Sequence, residues 1–286
     1  MSGRKGRARG TPKTVPGGPD AGLQERLALA QEAARRGAEV LRRRFGTIDF
    51  RNIEKKGPKD FVTAVDLEAE EAVVGFLESQ TPDLGIVAEE RPERPSADGL
   101  SWVIDPLDGT TNYVHQYPFF AVSVALVQGN TPLVGVVLDP LRNEEFTALR
   151  GGGAFLNGDR IQTSAVRSLS SALMLTGFPF RAIALLGSYI RSFEAVLRST
   201  VGVRRDGSAA LDLCHVACGR ADGFWELRLS PWDIAAGHLL VEEAGGRSTD
   251  FVGGNSQWHT GDILASNGHL HTTLIRLLRE SFPGYR

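Results

Sequence analysis

The sequence has little of several features that mark common protein classes. Its only cysteines are Cys214 and Cys218, so no disulfide framework is expected and a reducing cytoplasm fits the composition. No second Cys/His pair stands at zinc spacing, and no GxSxG or GK[ST] motif occurs. The longest mainly apolar run, Phe119 to Val127 with Ser123 inside it, is too short to cross a membrane. These absences argue against a zinc module, a serine hydrolase of that type, a P-loop protein and a membrane partner.

The charge of the chain is unevenly distributed. The 286 residues carry a formal net charge of −2, with 42% hydrophobic and 23% charged residues, which is ordinary for a globular protein. Residues 1–20 contain five basic residues, one acid, five glycines and three prolines, which predicts a disordered basic tail. The remaining residues, 21–286, have 27 basic and 33 acidic side chains and form the predicted folded domain. This acidic body argues against a nucleic-acid partner, except through the tail.

Hydrophobic periodicity predicts a mixed α/β protein. A long amphipathic helix is expected over about 21–45, and an acid-rich helix is expected to open at Asp66. A three-strand meander follows, and the second half alternates strands with helices, so two layered α/β halves are expected. The late histidines, His259, His269 and His271, are expected at the surface or as helix caps. The predicted segments after residue 85 are strands at 86–88, 121–127, 133–138, 145–149, 173–176, 221–227 and 263–266, and helices at 188–198, 208–217, 232–244 and 269–280.

The segment from Trp102 to Val114 carries the first chemical signal. An apolar run leads into Asp105, and Pro106, which lacks an N–H group, is expected to stop a central strand there. Asp108 and the small residues that follow place carboxylates beside backbone N–H groups, an arrangement that can hold a cation and a phosphate together. Either the Asp-Pro or the Asp-Gly dipeptide alone is equally typical of a turn.

The segment from Ser230 to Gly237 carries the second signal. Asp233 stands at the start of a predicted helix, where a carboxylate caps N–H groups and meets the positive end of the helix dipole. Capping alone accounts for an aspartate at this position. If Asp233 converges with the acids near Asp105, their mutual repulsion is relieved by a divalent cation. Oxygen ligands without histidine or thiolate favour Mg²⁺ or Mn²⁺ over Zn²⁺.

Together these two segments resemble the signatures of the inositol monophosphatase family, which are magnesium-dependent, lithium-sensitive phosphatases. The resembling strings are Asp-Pro-Leu-Asp-Gly-Thr-Thr-Asn at 105–112 and Trp-Asp-Ile-Ala-Ala-Gly at 232–237. The resemblance covers about 21–286 and implies the sugar-phosphatase type of fold, with alternating α-β-α-β-α layers. It also implies a metal- and phosphate-binding lobe over about 21–165, a substrate lobe over about 166–286, and a homodimer.

The resemblance also implies roles for individual residues. Two or three Mg²⁺ ions, with Mn²⁺ as a substitute, would be held by acids and one carbonyl group, and the reaction would be direct attack of a metal-activated water on a phosphomonoester. The implied metal ligands are Glu89, Asp105, the Leu107 carbonyl, Asp108 and Asp233; the implied catalytic residues are Glu89, Thr110 and Asp66; the implied phosphate ligands are Gly109, Thr110 and Thr111; the implied substrate ligands are Asp108, Ser208, Ala209 and Glu226.

Several of these assignments have plain structural alternatives. Asp66 is equally an N-cap, Glu226 a surface acid at a strand end, and Lys55 and Lys56 a solvated basic turn rather than positive charge beside the metal site. Cys214 and Cys218 stand four residues apart in a predicted helix, where burial of both sulfur atoms is expected.

The expected activity is hydrolysis of myo-inositol 1-phosphate to inositol and phosphate in the cytoplasm. The alternatives are the same chemistry on fructose 1,6-bisphosphate, histidinol phosphate, NADP or 3′-phosphoadenosine phosphate. Arg204, Arg205 and Asp206 resemble bacterial members and could admit such substrates. An alternative of another class is a regulatory partner of RNA-associated machinery, with the basic tail as a candidate contact.

Overall fold

A computed structural model describes residues 21–47, 54–57, 60–62, 64–282 and 284, and for 54–57 and 60–62 it describes the backbone alone. The helices are α1 Ala21–Arg44, α2 Ala64–Gln80, α3 Thr110–Val114, α4 Leu186–Ser199, α5 Ala209–Ala217, α6 Pro231–Glu243, α7 Gln257–Thr260 and α8 His271–Ser281. The strands are β1 Glu54–Gly57, β2 Asp60–Val62, β3 Gly85–Ala88, β4 Leu100–Asp108, β5 Ala121–Gln128, β6 Thr131–Asp139, β7 Glu144–Leu149, β8 Gly153–Leu156, β9 Asp159–Arg160, β10 Leu173–Thr176, β11 Gly202–Arg204, β12 Gly223–Glu226, β13 Arg247–Thr249 and β14 Ile263–Ser266.

Two large sheets organise the chain. The first has seven strands in the order β3-β4-β5-β6-β7-β8-β9, with β3 parallel to β4 and every other neighbour antiparallel. The second has five strands in the order β11-β10-β12-β14-β13, with β10 parallel to β11 and β12. The first sheet contains the predicted meander.

The predicted five layers are confirmed. Helices α1 and α2 cover one face of the first sheet, and α5 and α6 lie between the two sheets. Helices α4 and α8 pack together on the outer face of the second sheet. Three apolar clusters correspond to these junctions, because each sheet is buried on both faces. Trp102 and Trp225 are among the largest fully buried side chains of the first and second sheet, respectively.

The expectation that Pro106 ends the strand is wrong. Strand β4 continues to Asp108 through an irregularity between Asp105 and Asp108 in its pairing with β5. Its other neighbour, β3, pairs only as far as Ile104, so the proline lies where β4 has β5 alone beside it. A proline is tolerated at a bulge or at a strand edge because no ladder hydrogen bond is lost there. The bulge sets the two aspartates at the end of the strand.

Three further expectations change in the structure. Helix α2 begins at Ala64, so Asp66 lies within its first turn rather than at the N-cap. His271 is fully buried at the start of α8, where its ring nitrogens contact the hydroxyl groups of Thr249 and Ser266 at 2.8 and 2.9 Å. Cys214 is buried as expected, whereas Cys218 is half-buried at the C-terminal end of α5.

Among the helices that the structure describes, none combines the length and the apolar character that a bilayer-spanning segment needs. The predicted basic tail, residues 1–20, lies outside the described residues. The side chains of Lys55 and Lys56 also lie outside the described part of the chain.

Candidate active site

A cavity of about 630 Å³ opens where the two sheets and the helices between them meet. Its wall is formed by the end of β4, the start of α3 and the first turns of α5 and α6. Residues at or next to the ends of β3, β10 and β12 complete it. Much of this wall consists of loop ends and first helical turns, so polar backbone and side-chain groups surround the cavity. The predicted site residues that line it are Glu89, Asp105, Leu107, Asp108, Gly109, Thr110, Thr111, Ala209, Glu226 and Asp233.

Three aspartates form a compact group, here called the carboxylate cluster: Asp105, Asp108 and Asp233. One carboxylate oxygen from each lies within 4.8 Å of the others, and all three residues are buried. Burial raises the pKa of Asp105 well above its ordinary value, and the charges of Glu89, Asp108 and Asp233 raise it further. Burial, followed by the charge of Asp233, raises the pKa of Asp108 to about 7. Like charges held this close favour either a bound proton or a bound cation.

Asp108 joins the first lobe to helix α5. Its Oδ2 atom accepts hydrogen bonds from the Ser208 hydroxyl at 2.5 Å and from the Ala210 N–H group at 2.8 Å. Ser208 is the N-cap of α5, so the carboxylate lies at the positive end of that helix. The structure therefore places Ser208 behind Asp108, with its hydroxyl engaged by an acid of the cluster, while its neighbour Ala209 lines the cavity.

The hydroxyl group of Thr110 is held between two acceptors. It lies 3.1 Å from Asp66 Oδ1 and 3.1 Å from the Leu107 carbonyl oxygen. Thr110 begins α3, and the first N–H groups of a helix have no acceptor within that helix. Gly109 precedes it with φ +97°, a conformation that a side chain would strain. The turn thus presents backbone donors and one oriented hydroxyl to the cavity.

Glu89 follows β3 and lines the cavity beside the cluster. Glu70 on α2 holds the turn that contains Glu89. The buried Glu70 carboxylate accepts hydrogen bonds from the Glu90 N–H group and from Arg91 Nε, both at 2.8 Å. Asp66 and Glu70 stand one helical turn apart, so one face of α2 reaches both Thr110 and the Glu89 turn. Glu70 is a supporting residue that the sequence analysis missed; the signal was its spacing of four residues from Asp66.

The wall of the cavity also includes Glu226, at the end of β12. Burial raises its pKa to about 8, although the nearby charge of Arg205 opposes the shift. Its carboxyl group lies directly over Gly177, so closely that any Cβ atom at position 177 would overlap it. Gly177 therefore sets the position of Glu226.

Asp233 lies in the first turn of α6 and both caps the helix and faces the cavity. Its Oδ2 atom accepts a hydrogen bond from the Ser230 N–H group at 2.6 Å. Burial raises the pKa of Asp233, while the charge of Arg181, 3.4 Å away, opposes the shift. Arg181, Phe178 and Phe180 also line the cavity, and sequence reasoning did not single them out, because nothing in their local spacing indicates it.

The donor set fits a hard divalent cation. Carboxylate oxygens alone make up the carboxylate cluster, and the Leu107 carbonyl group and Glu89 lie beside it. Magnesium and manganese take such oxygen ligands, whereas zinc prefers nitrogen and sulfur.

The five layers and the buried acids at the junction of two sheets define a mixed α/β protein of the sugar-phosphatase type. The profile of the Inositol monophosphatase family matches residues 22–282. The chain belongs to that family.

The chain is similar in sequence and in fold to several proteins of this family. It is 45% identical over 267 residues to the Nus factor SuhB of Pseudomonas aeruginosa, covering 91% of this chain and 98% of that protein. It is 41% identical to the inositol-1-monophosphatase of Rhizobium meliloti, with 90% and 97% of the two chains covered. The structure of the inositol monophosphatase from Anabaena superposes with a TM-score of 0.82 at 41% identity, covering 91% of this chain and 97% of that one. The predicted fold class is confirmed.

Proposed function

We propose that the protein is a Mg²⁺-dependent phosphomonoesterase that hydrolyses inositol monophosphate. The observation that carries the proposal is the carboxylate cluster, whose three oxygens lie within 4.8 Å of one another beside the first turn of α3. The cluster offers cation ligands and the turn offers donors for an anion, which is the pairing that a phosphate ester requires. The similarity to a protein named inositol-1-monophosphatase supports the same substrate class.

In this proposal, different residues hold the ions, bind the phosphate and orient the water molecule. Asp105, Asp108 and Asp233, with Glu89 and the Leu107 carbonyl group, would hold the ions, which when bound lower the pKa of water and neutralise phosphate charge. The N–H groups of Gly109, Thr110 and Thr111 orient the phosphate. Asp66 fixes the Thr110 hydroxyl, and that hydroxyl together with Glu89 orients a water molecule for attack.

Glu226 is the proposed contact for the alcohol half of the substrate. It lines the same cavity as the α3 turn, and a carboxylate or carboxyl group there can hydrogen bond to ring hydroxyls. Ala209 and Asp108 are the other proposed substrate contacts in the cavity, with Ser208 acting through Asp108.

A phosphatase panel tests the proposal. Inositol 1-phosphate, fructose 1,6-bisphosphate, histidinol phosphate, NADP and 3′-phosphoadenosine phosphate are each assayed with Mg²⁺, with Mn²⁺, with EDTA and with added Li⁺. We expect the highest kcat/KM for inositol 1-phosphate, loss of activity in EDTA and inhibition by Li⁺. Asp105→Asn is expected to lose at least ~100-fold in kcat while keeping its melting temperature in EDTA. Activity that survives chelation would contradict the proposal.

A second candidate function comes from the relatives named Nus factor SuhB. On this alternative the chain binds transcription machinery, and the basic tail 1–20 is the proposed contact. Deletion of residues 1–20 separates the two functions: loss of binding to purified transcription complexes with full phosphatase activity supports a second role for the chain, whereas unchanged binding removes the tail from it.

We also propose that the protein is a homodimer. Leu186, Ile190 and Leu197 stand at helical spacing on one side of α4, next to the side that buries Tyr189 and Val196, and are 39%, 50% and 46% exposed. The apolar α4 stripe is Leu186, Ile190 and Leu197, and two further exposed apolar residues, Ile183 and Val201, stand just before and just after α4 in the chain. An apolar surface that continues over three helical turns favours a protein contact over solvent.

A further inference from the structure

Arg181 occupies an unusual position for a cation, next to acids that the proposed function assigns to metal ions. It lies on a 3₁₀ segment, Phe180–Leu185, a few residues after β10. Its Nη1 atom is 3.4 Å from Asp233 Oδ2 and 3.3 Å from Ser230 Oγ, and its Nη2 atom is 3.8 Å from Glu89 Oε1. One guanidinium group thus bridges an acid of the carboxylate cluster and the acid beside it.

Acidic groups outnumber basic groups around the cavity, and this excess attracts a cation such as the Arg181 guanidinium group. Five carboxyl groups and two guanidinium groups line it among the described residues. The guanidinium carbon of Arg205 lies over the Phe178 ring, 5.2 Å from its centre, whereas Arg181 contacts Asp233. Without a metal ion, Arg181 therefore offsets part of the repulsion among the acids.

We propose that Arg181 is a built-in counter-cation of the metal centre: it holds Asp233 and Glu89 until a divalent ion binds, and it thereby weakens the binding of that ion. This inference rests on the proposed metal-dependent function. An ion at Asp233 would stand within a few ångströms of the guanidinium group, and two positive charges so close repel each other. Metal binding must therefore displace Arg181 from the carboxylates.

The surroundings of Arg181 allow that displacement. Its side chain is 29% exposed, so the guanidinium group can turn into water while its stem stays on the wall. The 3₁₀ segment is interrupted at Ala182, whose φ and ψ of −136° and 53° are not helical.

The test is calorimetric titration of the full chain with Mn²⁺ in mildly alkaline buffer, combined with thermal unfolding in EDTA. We expect Arg181→Gln to bind Mn²⁺ about 3–10-fold more tightly than the wild type, because one close ion pair no longer has to be broken. In EDTA the same variant should unfold at a lower temperature, since repulsion within the cluster is no longer offset. Arg181→Lys, which keeps the charge, should lie near the wild type in both measurements.

The control is Arg220→Gln, which removes an arginine that pairs with Glu144 and does not line the cavity, and it should leave Mn²⁺ affinity unchanged. The proposal is supported if Arg181→Gln binds Mn²⁺ more tightly than the wild type and is less stable than the wild type in EDTA. Equal or weaker Mn²⁺ binding by Arg181→Gln overturns it, even if stability falls, because a purely structural arginine would give that result. If the wild type binds no Mn²⁺, the proposed metal-dependent function fails as well, so the two failures are distinguishable.

Discussion

Each acid of the carboxylate cluster is oriented by donors from a different part of the chain. Asp105 accepts from the Leu107 N–H group two residues away, at 2.9 Å. Asp108 accepts from Ser208 and Ala210, about a hundred residues later. Asp233 accepts from Ser230 within its own helix start. Because these donors hold the carboxylates, the acids can stay close together despite their mutual repulsion.

Gly177 provides a test of the proposed substrate contact. In Gly177→Ala the new methyl group overlaps the Glu226 carboxyl group, so that side chain must move. We expect KM for inositol 1-phosphate to rise roughly 10-fold, the cost of about one hydrogen bond, with Mn²⁺ affinity unchanged. The measurement is steady-state kinetics together with Mn²⁺ titration.

Gly187→Ala is the matched control, because the nearest side-chain atom to its new methyl group is Arg191 Nη1 at 3.8 Å. It should leave KM at the wild-type value. An unchanged KM in Gly177→Ala would show that Glu226 does not bind the alcohol half of the substrate.

The sequence was enough to place some residues at the site but not others. The acids of the two signature segments could be placed because each segment is a short, specific string around a carboxylate. Arg181 could not, because its proximity to Asp233 arises from the packing of β10 beside β12 and not from any local pattern. His271 was expected at the surface or as a helix cap but is buried, and the two hydroxyl groups that contact its ring come from strands β13 and β14.

At the scale of elements, α2 supports the site without lining the cavity. Asp66 reaches Thr110, and Glu70 reaches the turn after β3, so two segments separated along the chain are fixed by one helix face. The sequence predicted this helix from its apolar and acidic residues but placed its start two residues late. The exact start matters, because it moves Asp66 from a capping position into the first turn, where its side chain is available to Thr110.

The support from Glu70 is tested by Glu70→Gln. The amide loses the charge that pairs with Arg91 and weakens the bond to the Glu90 N–H group, so we expect a loss of roughly 1–3 kcal/mol in the free energy of unfolding. We also expect weaker Mn²⁺ binding, because the Glu89 turn is then less well fixed. Urea unfolding and Mn²⁺ titration measure the two effects.

Glu71→Gln is the control for this change, since Glu71 contacts the same arginine at 3.1 Å but is 77% exposed. It should cost less than about 1 kcal/mol, as exposed ion pairs do. If the two variants behave alike, Glu70 contributes only a surface ion pair and has no role in positioning Glu89.

Across the whole molecule, the five layers follow from patterns that a sequence displays well. Strands buried on both faces read as continuous apolar runs, as in β5 and β6, and the helices that cover them have one apolar side. The pairing order of the second sheet was not predictable, because β12 pairs with β10 and with β14, and neither of these strands is next to β12 along the chain. The position of the cavity between the layers depends on that order.

The α4 stripe gives the prediction at this largest scale. Ile190→Glu places a charge in the middle of the stripe, where burial in a dimer would leave it unpaired, so we expect the variant to sediment as a monomer while the wild type sediments as a dimer. Leu67→Glu is the matched control, because Leu67 on α2 is 53% exposed and lies away from the stripe. Analytical ultracentrifugation at several concentrations distinguishes the species. The proposed interface is wrong if Ile190→Glu remains dimeric or if Leu67→Glu dissociates to the same extent. Because Phe178 and Arg181 precede the stripe and line the cavity, dissociation is also expected to change Mn²⁺ affinity in Ile190→Glu and to leave it unchanged in Leu67→Glu.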